Sequence, residues 1–486
     1  PLDFTRTYAS SLRKRDDFGL GNGWTHTYSY FADILSSDVR VFFPEGGVVE
    51  FALDYDGSYT ASDGNEYSLH KNGDGFLLSS TGGKQVWFNG DGTASKVSYP
   101  DGTVINIENS AGKPSKVTTK TGSLYFSYSG GHLVSVKDDS GREVTYEYSG
   151  SDLSRVINPD GDSMTYTYDE NHNMLTATNL NGALVLENTY DDYYRVSTQK
   201  MPGRGLMTFS YDRDSRTNSY HEEGGKDVSI TYDDKERIIS STDNAGTEYY
   251  AYDDLSRKIS ETDKNGNTTT YTYVGDTQNV ESIAYPDGTM ERYAYNGRMQ
   301  VSSLTQRDGT VISLSYDGNG NLTKIVDPRK GERIYAYDER GYLASSTDAL
   351  GNTTAYTCDG MGNILTETDP LGNTTTYEYN AKGYLTKQTS PLGNSYSYEY
   401  SEAGKLVTET DPLGNRKTME YNGNGYETAV TDWQGNKTLY TYNAVNDLTG
   451  MIDPTGAETV YTYDGQGNRT SETDADGHKI SYTYDA

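Results

Sequence analysis

The stretch from Gly362 to Gly383 reads GNILTETDPLGNTTTYEYNAKG. Two turn signals punctuate it. Asp369-Pro370-Leu371-Gly372 has the form of a type I turn followed by a left-handed glycine, a common hairpin connection. Asp suits the first position because its side chain accepts a local backbone hydrogen bond, and Pro pre-sets φ at the second. Asp411-Pro412-Leu413-Gly414 and Asp453-Pro454-Thr455-Gly456 repeat the pattern, while Tyr337-Asp338-Glu339-Arg340-Gly341 keeps the Asp-to-Gly logic without Pro. One glycine series runs Gly320, Gly341, Gly362, Gly383, Gly404, Gly425 and Gly467; the other runs Gly351, Gly372, Gly393, Gly414, Gly435, Gly456 and Gly477. Asn446 fills the missing beat of the first, and Asn is the next residue after Gly to accept a left-handed backbone. Both series are therefore expected to serve φ > 0. Between turns the pattern alternates with period two: Tyr377 and Tyr379 share one face, Thr376 and Glu378 the other. Tyr398 with Tyr400, Tyr440 with Tyr442, and Tyr461 with Tyr463 follow suit. Leu343, Ile364, Leu385, Leu406 and Leu448 share one position on the preceding strand, with Thr347, Thr368, Thr389, Thr410 and Thr431 on the same face. The unit reads as a β-hairpin of two strands of roughly seven residues.

This unit recurs along most of the chain. A marker tyrosine stands at Tyr128, Tyr148, Tyr168, Tyr190, Tyr211, Tyr232, Tyr252, Tyr273, Tyr295, Tyr316, Tyr337, Tyr379, Tyr400, Tyr421, Tyr442, Tyr463 and Tyr484, and Cys358 fills the skipped beat. Such a period signals an array of one supersecondary unit, which usually works by surface or enclosed volume rather than by one pocket. A lone hairpin is marginal in water, so neighbours must pair side by side, with cross-strand pairs worth about 0.2–1 kcal/mol each. Twist accumulating over roughly 34 strands argues against a flat sheet. The expected fold class is all-β: antiparallel β-hairpin repeats of about 21 residues spiralling into a wide hollow shell or barrel-like wall. The irregular residues 1–85 are expected to cap the first strand edge, with residues 86–486 forming the array.

The formal charge is −30, from 41 basic and 71 acidic residues. A nucleic-acid binder needs a basic footprint, and anionic headgroups repel such a chain, so neither partner is expected. No apolar run approaches the ~18 residues needed to span a bilayer. No signal peptide is recognised, and the abrupt ends at Pro1 and Ala486 read as those of a fragment.

The motifs resemble the tyrosine-aspartate (YD) repeats of Rhs proteins. Tyr461-Thr462-Tyr463-Asp464 and Thr410-Asp411-Pro412-Leu413-Gly414-Asn415 are clear copies. The opening Pro1-Leu2-Asp3-Phe4-Thr5-Arg6-Thr7-Tyr8, with Gly19-Leu20-Gly21-Asn22-Gly23-Trp24-Thr25-His26, resembles the start of the Rhs core, and the stretch Val41 to Phe88 resembles its irregular first hairpins. The family includes bacterial polymorphic toxins, cocoon subunits of insecticidal toxin complexes, and teneurins. The resemblance implies a hollow β-shell, or an arc of one, from a bacterial secreted or cell-surface protein. In the toxins such a shell encloses a C-terminal effector. The family's DPxGxxxGxNxYxY-like closing signature, autoproteolytic site and effector do not occur before Ala486, so no protease aspartates are carried over.

Candidate chemistry is sparse. His26, His70, His132, His172, His221 and His478 show no close metal-ligand pair and no HExxH, and His26 beside Trp24 reads as packing. Recurrent aspartates sit at turn starts, so no carboxylate pair is nominated for glycoside hydrolysis. Asp474-Ala475-Asp476-Gly477 hints at calcium but lacks the distal Glu of an EF-hand. Cys358 reads as a packing thiol. The Asn-x-Thr sequons at Asn267, Asn321, Asn352, Asn373, Asn436 and Asn468 read as repeat grammar. Trp24, Trp87 and Trp433 are too scattered for a sugar-stacking platform, and the Tyr ladders read as wall packing. No catalytic, cofactor-binding or metal residues are nominated, and no cofactor or enzymatic activity is expected. The expected role is a non-catalytic shell that encloses or presents an effector. The alternatives are an extracellular adhesive or filament-forming module and a polysaccharide-active β-solenoid. Partner classes are an enclosed effector or delivery-system component, a second copy joined through the open strand Ser481-Tyr482-Thr483-Tyr484, and a glycan.

Overall fold

The computed structural model describes residues 2–15, 18–35, 38–55, 57–61, 67–80, 82–100, 102–202, 204–465 and 467–484. Pro1 and Ala486 lie outside the described residues. Apart from a single 3-10 turn at Ser10–Leu12, the regular structure among the described residues is β-strand, joined by antiparallel pairing of consecutive strands. None of it is a helix long and apolar enough to cross a membrane.

The repeats are hairpins, as the alternation requires. In Glu458–Tyr463 and Lys437–Tyr442 exposed and half-buried residues alternate with period two, and the tyrosines take the half-buried face. Most strands of the later repeats have five or six residues, as in Ile364–Thr368 and Thr374–Tyr379, while Glu143–Ser149, Gly246–Tyr252 and Gly331–Tyr337 reach the roughly seven expected. The difference lies at the turns. Asp338 N–H donates to Tyr342 O at 2.8 Å, and Gly341 N–H to Asp338 O at 2.9 Å. This is a three-residue loop ending in a left-handed residue, which absorbs part of each strand and places a β-bulge beside the marker tyrosine.

All fifteen positions of the two turn series have positive φ, from 69° at Asn446 to 91° at Gly320. In earlier repeats the equivalent slot holds His172 (φ 65°), Tyr194 (64°), Glu236 (60°), Ser256 (59°) and Met299 (60°). There the turn's hydrogen bonds hold the backbone left-handed without glycine: Tyr194 N–H still donates to Asp191 O at 2.9 Å. The turns that follow the marker tyrosine are called marker turns below; those at the opposite strand ends are far turns.

Contacts divide the chain into two compact units. Unit 1 comprises Pro1–Thr7, His26–Tyr125 and Thr231–Tyr377; unit 2 comprises Tyr8–Thr25, Phe126–Ile230 and Glu378–Ala486. In unit 1 the buried apolar side chains belong to the early hairpins, among them Val41, Phe51, Leu69, Leu78, Val86 and Val97. In unit 2 they gather around Leu20, Trp24, Leu133, Leu153, Val156 and Met174. From residue 178 onward, Met419 and Ala429 are the buried apolar residues among those described. Among the described residues, most of the YD array is thus a sheet with a half-buried face and an exposed face and few fully buried apolar side chains.

Candidate functional site

Among the described residues no side-chain constellation stands out as a catalytic centre, and the specific polar contacts lie where the repeats engage each other and the opening segment. The marker tyrosine comes first. Strand pairing between Glu427–Thr431 and Lys437–Tyr442 runs only as far as Ala429 with Leu439, leaving the Glu427 carbonyl beyond the last pair. The Tyr442 hydroxyl donates to that carbonyl at 2.9 Å. Tyr316 donates to Val301 O, Tyr337 to Leu322 O, Tyr421 to Leu406 O and Tyr463 to Leu448 O, each at 2.8 Å. Each accepting residue is also the register partner of the preceding marker tyrosine, as Leu406 is of Tyr400. The hydroxyls therefore stitch repeat to repeat by satisfying a carbonyl that the bulged ladder leaves over. At the skipped beat the Cys358 Sγ lies 4.0 Å from Leu343 O, and burial pushes its thiol pKa up, away from a reactive thiolate.

The turn aspartates act as local caps. Asp369 Oδ1 accepts the Leu371 and Asn373 N–H groups at 2.8 Å, and its Oδ2 accepts Asn373 Nδ2 at 2.8 Å. The Asn373 side chain is the main cause that holds this carboxyl below its usual range. All six sequon asparagines, Asn267, Asn321, Asn352, Asn373, Asn436 and Asn468, spend the side-chain nitrogen in this way, at 2.8–3.1 Å. Asp474 belongs to the same set. It accepts from the Asp476 and His478 backbone and faces His478 Nδ1 at 3.0 Å.

The opening segment sits over marker turns within unit 2. Gly19 O accepts the Leu133 N–H at 2.7 Å, and Asn22 N–H donates to Ser151 O at 3.1 Å. The Tyr8 hydroxyl donates to His172 O at 2.7 Å and accepts the Met174 N–H at 3.0 Å. The Arg13 guanidinium lies 4.0 Å from the Tyr194 ring centre. Four successive marker turns are covered in this way. The glycines are needed for the approach: a Cβ on Gly19 would lie 2.7 Å from Gly131 O, and one on Gly21 2.8 Å from Leu153 N. Trp24 is buried here and donates its indole N–H to the Tyr168 hydroxyl at 2.8 Å. The expected cap over a strand edge is thus, in Tyr8–Thr25, a cap over turns. A glycine-rich backbone satisfies turn carbonyls and amides without adding a strand.

Unit 2 also shows marker turns of Glu378–Ala486 seated on far turns of Phe126–Ile230. Asp160 Oδ1 accepts the Ala403 N–H at 2.8 Å, and Asp160 also faces Lys405 Nζ at 3.6 Å. Asn424 Oδ1 accepts the Leu180 N–H at 3.0 Å, and Asn179 Nδ2 donates to Ala444 O at 3.0 Å. Arg204 pairs with Asp447 at 3.2 Å, and Gly205 N–H donates to Gly465 O at 3.2 Å. The Ala403, Asn424 and Asp447 contacts join residues 243, 244 and 243 apart in sequence.

The histidines are dispersed. His26 is fully buried against Phe4, with ring centroids 5.0 Å apart, and burial pushes its pKa down to about 3, so it packs as a neutral ring. His132 stacks on Tyr148 at 4.4 Å, and His70 is exposed on Tyr67–Asn72. His172 Nδ1 lies 2.9 Å from Asp152, and His221 Nδ1 2.6 Å from Asp227. Among the described residues, no three or more His, Cys, Asp or Glu side chains gather as metal ligands. Trp87 carries Lys96 at 4.1 Å from its ring centre, and Trp433 meets Tyr396 at 6.4 Å between ring centroids.

Comparison with known proteins gives three family matches. The RHS Repeat model matches six stretches, residues 295–332, 316–349, 337–374, 362–395, 400–437 and 442–479. The Teneurin YD-shell model matches residues 176–305, and a domain of unknown function, DUF6531, matches residues 1–51. Among curated proteins nothing matches. Among solved structures, a chain of the Photorhabdus luminescens Tc holotoxin pore is 12% identical with a TM-score of 0.58; the match covers 89% of this chain and 26% of that one. A TcdB2-TccC3-TEV crystal structure is 12% identical with a TM-score of 0.44, covering 92% of this chain and 30% of that one. The chain therefore spans about a quarter of the length of the first of these.

Proposed function

Because this chain belongs to the Rhs/YD-repeat family, we propose that it is the non-catalytic wall of a secreted or surface-delivered Rhs-type protein, enclosing or presenting an effector carried outside these residues. Residues 1–85 serve as the core-start and capping segment and residues 86–486 as the wall. The observation that carries this reading is the scarcity of buried apolar side chains in the array. Beyond residue 178 the array buries almost no apolar side chain among those described, so its hydroxyl stitching and capped turns hold a surface in place rather than a core. A surface held this way suits containment, because a stacked repeat array is stabilised by neighbour contacts along its length and needs no filled interior. The seating of turns about 243 residues apart within unit 2 supports it further, since a wall must close the gap between successive passes.

Small-angle scattering of the chain in solution tests the proposal. A wall around solvent gives a pair-distance distribution whose maximum lies well beyond that of a solid protein of 53.7 kDa. A thin-rod profile overturns it and moves the adhesive or filament-forming reading to the front.

A further inference from the structure

The contacts of the opening segment with successive marker turns run as far as Arg13 on Tyr194. Between that turn and the next, at residues 212–216, an open cavity of about 600 Å³ lies within unit 2. Small-molecule sites span about 300–1,000 Å³. Ser10, Ser11 and Arg13 of the opening segment form one wall, Tyr193 and Tyr194 another, and the Arg213 turn a third. Two features distinguish the cavity from a simple gap between turns. The first is an aromatic face presented in advance. Tyr193 stands at the tip of its turn, where other marker turns place Asn171, Lys235 or Asn319. Its ring is 74% exposed, with the Arg195 guanidinium 5.0 Å from its centre. Arg195 is fixed in turn by Asp191 at 2.7 Å and by the Tyr211 ring, whose centre is 4.4 Å away. The second feature is a set of unspent polar groups. Among the described residues, the hydroxyls of Ser10, Ser11, Tyr193 and Tyr194, the Arg213 guanidinium and the Asp214 carboxylate make no hydrogen bond or ion pair.

We propose that this cavity binds a short neutral oligosaccharide. The lining sorts the ligand classes. Arg13, Arg195 and Arg213 stand against Asp191, Asp212 and Asp214, so an anion meets no excess of positive charge there, on a chain whose formal charge is −30. An apolar ligand would cover hydroxyls and charges that it cannot bond. A sugar uses both kinds of group present. Its hydroxyls need donors and acceptors side by side: Arg213 donates, Asp214 accepts, and Ser10 and Ser11 do either. Its C–H face needs an aromatic ring, which Tyr193 supplies. Because Arg195 already holds that ring, little side-chain freedom is lost on binding. Tyr193 lies in the turn between Leu184–Tyr190 and Val196–Lys200, outside the tyrosine ladders of the strands. The site therefore makes no demand on the array's packing and stands whether or not the array is a wall.

Saturation-transfer NMR and titration calorimetry on the full chain test the proposal, with neutral trisaccharides of glucose, galactose, mannose and N-acetylglucosamine as probes. At least one is expected to bind with a dissociation constant of about 1 mM or tighter, with saturation strongest on the C–H face of one ring. Tyr193→Ala is expected to weaken that binding about tenfold, whereas Tyr193→Phe keeps most of it, because the ring rather than the hydroxyl stacks. Arg213→Ala is expected to weaken it about fivefold, the loss of one hydrogen-bonding group. Tyr193 serves its turn through its amide, which donates to Asp191 Oδ1 at 2.9 Å, so truncating the side chain leaves the turn in place. Far-ultraviolet circular dichroism verifies this, and if Tyr193→Ala loses the strand signal, the exposed Arg213→Ala change decides instead. Binding by none of the four trisaccharides overturns the proposal. So does binding that the deciding variant leaves unchanged, or tighter binding of trigalacturonate than of any neutral probe, which would mark an anion site.

Discussion

Replacing Cys358 by tyrosine should stabilise the chain. Cys358 stands in a slot where other repeats place a hydroxyl 2.8–2.9 Å from a carbonyl that strand pairing leaves over. Its Sγ is 4.0 Å from Leu343 O, too far for more than a weak contact, and the last ladder pair there is Ser345 with Ala355. Cys358→Tyr restores a hydrogen bond worth a net of about 0.5–1.5 kcal/mol. The added ring covers on the order of 40 Å² of apolar surface in a half-buried site, worth about 1 kcal/mol more at about 25 cal/mol per Å². Cys358→Phe separates the two effects by supplying ring without hydroxyl. A repeat array unfolds piecewise, so the readout is hydrogen exchange of the Leu343–Thr347 and Thr353–Cys358 amides rather than one melting temperature. The expected order of protection is Tyr above Phe above Cys, with the Tyr–Phe gap matching one hydrogen bond. Equal protection for Tyr and Phe would refute the stitching argument, and a loss in both would show that the slot has closed around the thiol.

Four further outcomes follow from the same geometry. Gly414→Val should cost about 1–2 kcal/mol by chemical denaturation, all of it backbone strain at φ 84°, because nothing lies within 4 Å of the new Cβ; unchanged stability would contradict the turn assignment. Tyr8→Phe should cost about 1–3 kcal/mol, since it strips partners from both His172 O and the Met174 amide, and should raise proteolysis of the opening segment. His26 has a folded pKa pushed down to about 3 from 6.5, so the unfolded chain takes a proton that the folded one refuses. Stability should therefore be full above about pH 6.5 and decline as pH falls from there towards 3, and His26→Gln should flatten denaturation midpoints between pH 6.5 and 5. The capping aspartates act in the same sense over a lower pH window: hydrogen bonds hold Asp369, Asp411 and Asp432 below the usual 3.8, so their contribution is present above that value and lost as pH falls through the lower folded range. Asn already fills this position at Asn380, with Lys382 N–H on its Oδ1 at 2.9 Å, so the triple Asp→Asn variant should fold and lose less stability on acidification below pH 4.

The hairpin unit was legible because it is local. Turn type, the sign of φ at Gly372 or Gly414, the role of Asp369 and the shared face of Tyr461 and Tyr463 each depend on residues within one repeat. Whatever joins distant residues was not legible. Nothing near Tyr442 in sequence says that its hydroxyl reaches the Glu427 carbonyl, and nothing near Asp160 says that Ala403 will lie on it. Many strands of the later repeats are shorter than expected because the bulge at each marker turn removes a residue that alternation alone assigns to the ladder. The left-handed His172 and Tyr194 carry no such signal, because their φ is imposed by the turn's hydrogen bonds and not by the residue itself. The opening segment did carry a signal, since Gly19, Gly21 and Gly23 at every second position ask for close backbone approach, but only the fold shows that turns rather than a strand receive it.

The seating of turns about 243 residues apart bears on how such a gene can change length. Tandem arrays gain and lose units by unequal recombination, and in a simple solenoid the result is a longer or shorter copy of the same object. Here an added unit anywhere between residues 162 and 400 would bring Asp160 opposite a different marker turn, and would misalign Arg204 with Asp447 by the same step. Every pairing downstream would slip together, as on a vernier scale. The number of units in that interval is therefore constrained as a whole by the seating, while a single unit tolerates a change of residue, as His172, Glu236 and Met299 in glycine's slot illustrate.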